Sequence, residues 1–324
     1  MATHTEGGTP TRVAKTLSTS DATPGKPTNT RRTKKSGWGW SGTPYLFLLV
    51  PVVLLLALTY YPVINMFWYS VTDWDGLAKT KEFVGADNFI TVFTKPEYFA
   101  VFKVSLYYFF ASFVQMGIAL YFATILSFNT RFKNFFKGVL FFPYLINGVA
   151  IGFIFLYFFR PDGTLDALMG ILGLGEHTQH WLGNRDIANY SLAATSVWRY
   201  TGLNFVLFLG AIQSIPGEIY EAAEIDGANK WHQFLYIIAP SIRPIIGLSF
   251  ILAISGSLSV FEIPFVMTGG ANGTETFVIK TVDTAFKFNK VGQASAMAVV
   301  LLAIVLVVTW IQKRLVPEEK VNQS

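Results

Sequence analysis

Gln293-Ala-Ser-Ala-Met-Ala-Val-Val-Leu-Leu-Ala-Ile-Val-Leu-Val-Val-Thr-Trp-Ile-Gln-Lys313 carries no charge before its last residue. About 20 apolar residues at 1.5 Å each cross roughly 30 Å of hydrocarbon, so lipid is the solvent this stretch fits. Five further apolar blocks precede it, at approximately 44–70, 99–127, 136–160, 188–213 and 245–268. The first contains Pro51 and Pro62, which predict an interrupted helix, and Tyr60-Tyr61, which suit a membrane–water interface. Six such blocks predict an all-α, polytopic membrane protein with six transmembrane helices.

Composition agrees with the blocks. Of 324 residues, 52% are hydrophobic and only 14% charged, against about a quarter charged in ordinary soluble domains. Mean hydropathy is +0.43. With no cysteine, disulfide frameworks, thiolate zinc sites and cysteine nucleophiles are excluded. The four histidines are scattered; His177 and His180 sit in a polar, glycine-flanked stretch with only Glu176 near, so no metal site is expected.

The net charge of +5 is unevenly placed, because seven of the 25 Lys and Arg residues fall in the first 35 positions. Residues 1–40 are rich in Thr, Ser, Gly, Pro and basic residues and cannot bury enough apolar area to order, so a disordered tail is expected there. It is not read as a secretory signal, since the apolar block begins only near Tyr45 and has no clear cleavage site. An even helix count puts both termini on one side. With that side cytoplasmic, fifteen basic residues lie inside and seven outside, which supports both termini inside a plasma membrane. The expected division is a tail at 1–40, a transmembrane domain at 41–316, and a short cytoplasmic tail at 317–324. The outer loops 71–98, 161–187 and 269–292 are too short for a catalytic domain.

One loop differs from the rest. Ser214-Ile-Pro-Gly-Glu-Ile-Tyr220-Glu221-Ala222-Ala223-Glu224-Ile225-Asp226-Gly227 leads through Trp231 and Phe234 to Pro240. Ser214 can cap a helix, Pro216 suits its first turn, and Glu218 and Glu221 favour its positive end. Gly227 permits a sharp turn before a second helical stretch. Tyr220 and Ile225 supply apolar anchors beside a low Ala222-Ala223 ridge, and Glu221, Glu224 and Asp226 supply carboxylates for basic partners. Interfacial lipid-binding helices are usually basic on the polar face; four acids before the first base suit protein docking instead.

At these spacings Glu221-Ala222-Ala223, Asp226-Gly227-Ala228, Phe234 and Pro240 resemble the EAA loop of ABC importer permeases. The likeness extends over roughly 44–313. Ser70-Val-Thr-Asp-Trp-Asp-Gly76, Phe83-Val-Gly-Ala-Asp-Asn-Phe89, Trp181-Leu182, Trp198, Ile215-Pro216 and Thr268-Gly-Gly270 are similar to the carbohydrate branch, the MalF/UgpA-like permeases. Ala271, where that branch usually has proline, and Ala239, where leucine is common, depart from the pattern. The resemblance implies the type I ABC importer permease fold, with the 214–240 loop forming a cytoplasmic coupling helix. Tyr220, Glu221, Ala222, Ala223, Ile225, Asp226, Gly227 and Pro240 would then meet the ATPase. It also implies two ATPase copies, a second related permease and an extracytoplasmic sugar-binding protein. No G-x-x-x-x-G-K-[ST] phosphate loop occurs, so ATP and Mg are expected on the partner ATPase and no cofactor in this chain.

Polar residues within apolar blocks are costly and mark candidate sites. Arg199 and Glu262 could pair with each other or with the partner permease, or meet substrate. Ser255, Gly256, Ser257 and Ser259 suit either helix packing or a polar path, and Gly148 and Gly152 form a small-xxx-small pair. By resemblance, Tyr144, Asn147, Gly148, Ser196, Arg199, Tyr200, Leu203, Ser255, Gly256 and Ser259 would line the substrate path. A neutral sugar fits that set; Arg199 leaves a sugar-related anion such as glycerol phosphate as the alternative. An intramembrane enzyme would need a buried nucleophile–base pair or metal cluster, and a secondary transporter would not need the acidic loop.

Overall fold

Apolar sequence of this length has its backbone hydrogen bonds satisfied by helix alone, and the computed structural model, which describes residues 43–128 and 131–315, is helical throughout its membrane-length segments. The expected tails at 1–40 and 317–324 lie outside the described residues. By internal packing the chain forms two units, Met1–Val53 and Leu54–Ser324. In the first, the helix α1 (Thr43–Leu55) begins.

In chain order the other helices are α2 (Tyr61–Ser70), α3 (Asp87–Thr94), α4 (Pro96–Ala100), α5 (Phe102–Ser127), α6 (Lys133–Leu145), α7 (Gly148–Phe159), α8 (Thr164–Ile171) and α9 (Arg185–Gln213). There follow α10 (Gly217–Ile225), α11 (Lys230–Gln233), α12 (Ala239–Ser241), α13 (Arg243–Leu258), α14 (Glu262–Thr268), α15 (Phe277–Phe286) and α16 (Val291–Leu315). Wider π-turns occupy Leu56–Tyr60 and Phe234–Ile238.

Among the described residues four segments are long and apolar enough to cross a membrane: Phe47–Ser70, Pro96–Ser127, Arg243–Thr268 and Val291–Arg314. The other two expected spans are less regular. The third is broken by 97° between α6 and α7, and the fourth, α9, bends by 70° into α10. The third breaks because Ile146 is extended (φ −76°, ψ 136°) and the Asn147 side chain accepts the Val149 N–H, starting a new helix. The first block is interrupted by the π-turn at Leu56–Tyr60, and neither proline itself breaks a helix. Pro51 lies inside α1, and Pro62 is the second residue of α2, directly after a π-turn.

The core of the larger unit follows helical periodicity. Met116, Ala119, Ala123 and Leu126 on α5 meet Phe205, Phe208, Leu209 and Ile212 on α9, with Ile238 and Ile242 closing the cluster. Nearer the other end, Val104 and Tyr108 pack with Phe159, Leu192, Ile263 and Met267. A third cluster joins Val92 and Tyr98 to Phe277, Met297 and Val300. The α6–α9 contact is close because Gly202 offers no side chain: a Cβ there would lie 2.6 Å from the Leu140 carbonyl oxygen. Between the first two clusters, α5, α6, α9, α13 and α14 leave a space.

Candidate functional site

That space is a cavity of about 860 Å³. It forms where α9 turns polar side chains inward, Ser196 and Asn204 both being buried, and where α13 ends at Leu258 before α14 starts at Glu262. Its wall combines aromatic faces (Tyr108, Tyr144, Tyr200, Phe261) with hydroxyls and amides (Ser112, Gln115, Ser196, Asn204, Ser249, Ser257, Ser259). The Tyr144 and Tyr200 rings stand 6.3 Å apart. The Tyr108 and Ser249 hydroxyls are buried with no hydrogen-bond partner among the described residues. The other hydroxyls and amides of the wall can exchange hydrogen bonds with a polyol passing through.

Among the lining residues only Arg199 and Glu262 carry charge, and they pair: Nη1 of Arg199 donates to Oε2 of Glu262 at 2.8 Å. The same nitrogen is 3.3 Å from the Tyr200 hydroxyl, and the guanidinium lies 5.0 Å from the Tyr200 ring centroid. The Arg199 side chain is 12% exposed and that of Glu262 50%. Gly148, the first residue of α7, lies directly beneath the pair, and a methyl there would collide with both the Glu262 carboxylate and the Arg199 guanidinium. The backbone of α7 thus supports an ion pair that ties α9 to α14.

Of the residues expected along a path, Tyr144, Ser196, Arg199, Tyr200, Leu203, Gly256 and Ser259 line the cavity. Three do not. Asn147 caps α7, Gly148 supports the ion pair from outside the wall, and Ser255 turns toward α16, 3.4 Å from the Thr309 hydroxyl. Gly152 packs against Val266. Trp198 is turned away from the cavity, its ring 5.2 Å from that of Phe155. Sequence reasoning missed Tyr108, Ser112, Gln115, Asn204 and Ser249; a polar residue on the inward stripe of α5 at 108, 112 and 115 was the available signal. Among the described residues no group of three or more His, Asp or Glu is placed to hold a metal.

The 214–240 stretch folds as two helices joined at Gly227, whose φ of +81° is the left-handed conformation glycine tolerates. Ser214 does not cap α10. It closes α9 instead, its hydroxyl donating to the Ala211 carbonyl, and Pro216 takes the capping position. Asn229 caps the second helix by accepting the His232 N–H. Glu224 accepts from Lys230 Nζ at 2.6 Å and from the buried Gln233 at 3.4 Å, clasping the turn. These hydrogen bonds hold the Glu224 carboxyl below its ordinary value of 4.5. Lys230 also lies 4.7 Å from the Phe128 ring centroid, which fastens the hairpin to the end of α5.

The two expected anchors part company here. Tyr220 faces the bundle, half-buried against the α5–α9 core, and burial raises its phenol above the ordinary value. Ile225 stands out, 86% exposed. Glu221, Ala222, Asp226, Gly227 and Pro240 are exposed and Ala223 half-buried, so α10 offers an outer face with an apolar tip and unshared carboxylates.

Residues 115–321 match the family model described as binding-protein-dependent transport system inner membrane component. The chain is 32% identical over 277 residues to the probable ABC transporter permease protein YurN of Bacillus subtilis, covering 84% of this chain and 94% of that one. It is 31% identical to the multiple sugar-binding transport system permease protein MsmF of Streptococcus mutans, over 88% of this chain and 97% of the relative. The fold resembles a chain of the bacterial alginate ABC transporter crystallised with its alginate pentasaccharide-bound periplasmic protein, at a TM-score of 0.73 and 18% identity. That match covers 84% of this chain and 93% of the other. The chain belongs to the family of inner membrane components of binding-protein-dependent transport systems.

Proposed function

We propose that this family member forms one half of the translocation path of an ATP-driven carbohydrate importer. The observation that carries this reading is the cavity wall, in which aromatic faces alternate with hydroxyls and amides. Aromatic faces take the C–H surfaces of a sugar, and serines, asparagine and glutamine exchange hydrogen bonds with its hydroxyls. The likeness to a multiple sugar-binding system permease supports the same substrate class. The path residues are Tyr144, Ser196, Arg199, Tyr200, Leu203, Gly256 and Ser259, with Asn147, Gly148 and Ser255 holding the helices around them.

ATP and Mg bind a separate ATPase, two copies of which serve this chain and a second, related permease; the chain itself holds neither. The ATPase receives the outer face of α10, through Glu221, Ala222, Ala223, Ile225 and Asp226, with Gly227 setting the turn and Pro240 ending the return helix. Tyr220 holds α10 to its own bundle, so displacement of α10 is passed into the α5–α9 core. Closure of the ATPase dimer moves α10, rocks the helices toward an outward-facing cavity, and allows a docked binding protein to release sugar. Both termini and the hairpin lie in the cytoplasm, as the 15-to-7 distribution of basic residues favours.

Co-purification tests this. Glu221→Lys and Ile225→Asp should each abolish co-elution of the ATPase or reduce sugar-stimulated ATP hydrolysis at least about tenfold, since polar or reversed groups at an interface centre typically cost above 1.4 kcal/mol. Unchanged assembly and stimulated hydrolysis in both variants would overturn the coupling role.

A further inference from the structure

An arginine lining a sugar path raises the question of why it does not draw anions into the site. The geometry points to an answer: we propose that the Arg199–Glu262 pair is a charge filter, making this half of the path selective for uncharged, hydroxyl-rich substrates against anionic ones. The inference rests on the proposed function, because the filter lies on the same cavity.

Three observations carry it. The cavity lining holds one cation and one anion, so this chain contributes no net charge to its wall. The single cation is directed at its partner, with Nη1 committed to Glu262 at 2.8 Å and its side chain 12% exposed, while the Glu262 side chain is 50% exposed and lines the same cavity. An approaching anion therefore meets a carboxylate first and a guanidinium already engaged. Finally, Gly148 leaves room for this pair and for nothing larger. The other polar groups of the wall are uncharged hydroxyls and amides, which suit neutral ligands.

Removal of the carboxylate should convert the filter into an anion site. Glu262→Gln keeps the shape and leaves the guanidinium free to take a carboxylate, a charge-assisted interaction whose gain amounts to about tenfold or more in affinity. The test measures binding of trigalacturonate to the assembled transporter, without its solute-binding protein, by equilibrium dialysis at low salt. The wild type should bind this anion at least about tenfold more weakly than Glu262→Gln, and Arg199→Gln/Glu262→Gln should lose the gain. Equal binding by wild type and Glu262→Gln, at any level, overturns the filter, as does a gain that survives in the double variant. Should Glu262→Gln not assemble, Glu262→Ala reads the same quantity, because it too removes the carboxylate and leaves the guanidinium unpaired. Co-elution and ATP hydrolysis are recorded on the same preparations. Loss of ATPase binding in the wild type counts against the importer reading, whereas a failed anion gain in an assembled, active complex counts only against the filter.

Discussion

A methyl group at position 202 would lie 2.6 Å from the Leu140 carbonyl oxygen and 3.1 Å from the Phe141 Cα. Both obstacles are backbone, so they cannot swing aside. Gly202→Ala should therefore destabilise the protein by about 1–3 kcal/mol through overpacking, visible as a lower melting temperature of the purified protein. Gly227 presents the opposite situation, with open space around its Cβ position but a φ of +81°. There Gly227→Ala should cost about 1–2 kcal/mol from backbone conformation alone, and Gly227→Asn clearly less; hydrogen exchange of the 217–241 amides would rank them. At this scale the sequence was partly legible. Arg199 and Glu262 stood out because charge in an apolar block is conspicuous, and their pairing at 2.8 Å is one of the alternatives their positions allowed. Tyr108 was only faintly legible, through its helical spacing from Ser112 and Gln115, because it lies within Leu106-Tyr-Tyr-Phe-Phe110, where every neighbour is as apolar or aromatic as itself. Only the inward turn of α5 distinguishes it.

Elements show how prolines are accommodated. Each of the two π-turns ends two residues before a proline, at Tyr60 before Pro62 and at Ile238 before Pro240. Proline removes a donor and crowds the carbonyl four residues back; a widened turn relieves both. This is why Pro62 does not interrupt its helix as its presence suggested, whereas Asn147, with no proline beside it, begins a new helix by capping. A short polar side chain within an apolar block was a weaker signal than proline and had the larger effect. The clasp of the hairpin has a pH dependence with a definite sign. Hydrogen bonds from Lys230 and Gln233 lower the folded-state value of Glu224, so its contribution is fully present above 4.5, the ordinary value, and is lost as pH falls through the depressed one. Limited proteolysis at the 226–229 turn should accordingly accelerate as pH drops below about 4.5, and Lys230→Met should already show accelerated cleavage at neutral pH.

For the molecule as a whole, helices this apolar must be covered by lipid or by a second subunit. On α5, Phe110 and Val114 are 63% and 58% exposed, while Ser112 and Gln115 of the same two turns are buried. Val114→Arg should therefore oppose membrane integration by about 2.5–3.5 kcal/mol, measured as the membrane-integrated fraction of newly made protein. The six apolar blocks were plain in the sequence because hydropathy accumulates over 20 residues, yet among the described residues four are segments long and apolar enough on their own. Block counting cannot detect a 97° break, which depends on two residues, Ile146 and Asn147. It also understates α9, whose inward polar residues both lower its hydropathy and form one wall of the cavity.

The glycine under the ion pair has a further consequence, in descent rather than in space. Gly148 sits on α7, Arg199 on α9 and Glu262 on α14, so three helices share one constraint although the residues are 51 and 63 positions apart in sequence. A lineage that enlarges position 148 must first surrender one of the two charges, and a lineage that loses the pair no longer needs the glycine. These three sites should change together or not at all, as a single inherited character written in three places.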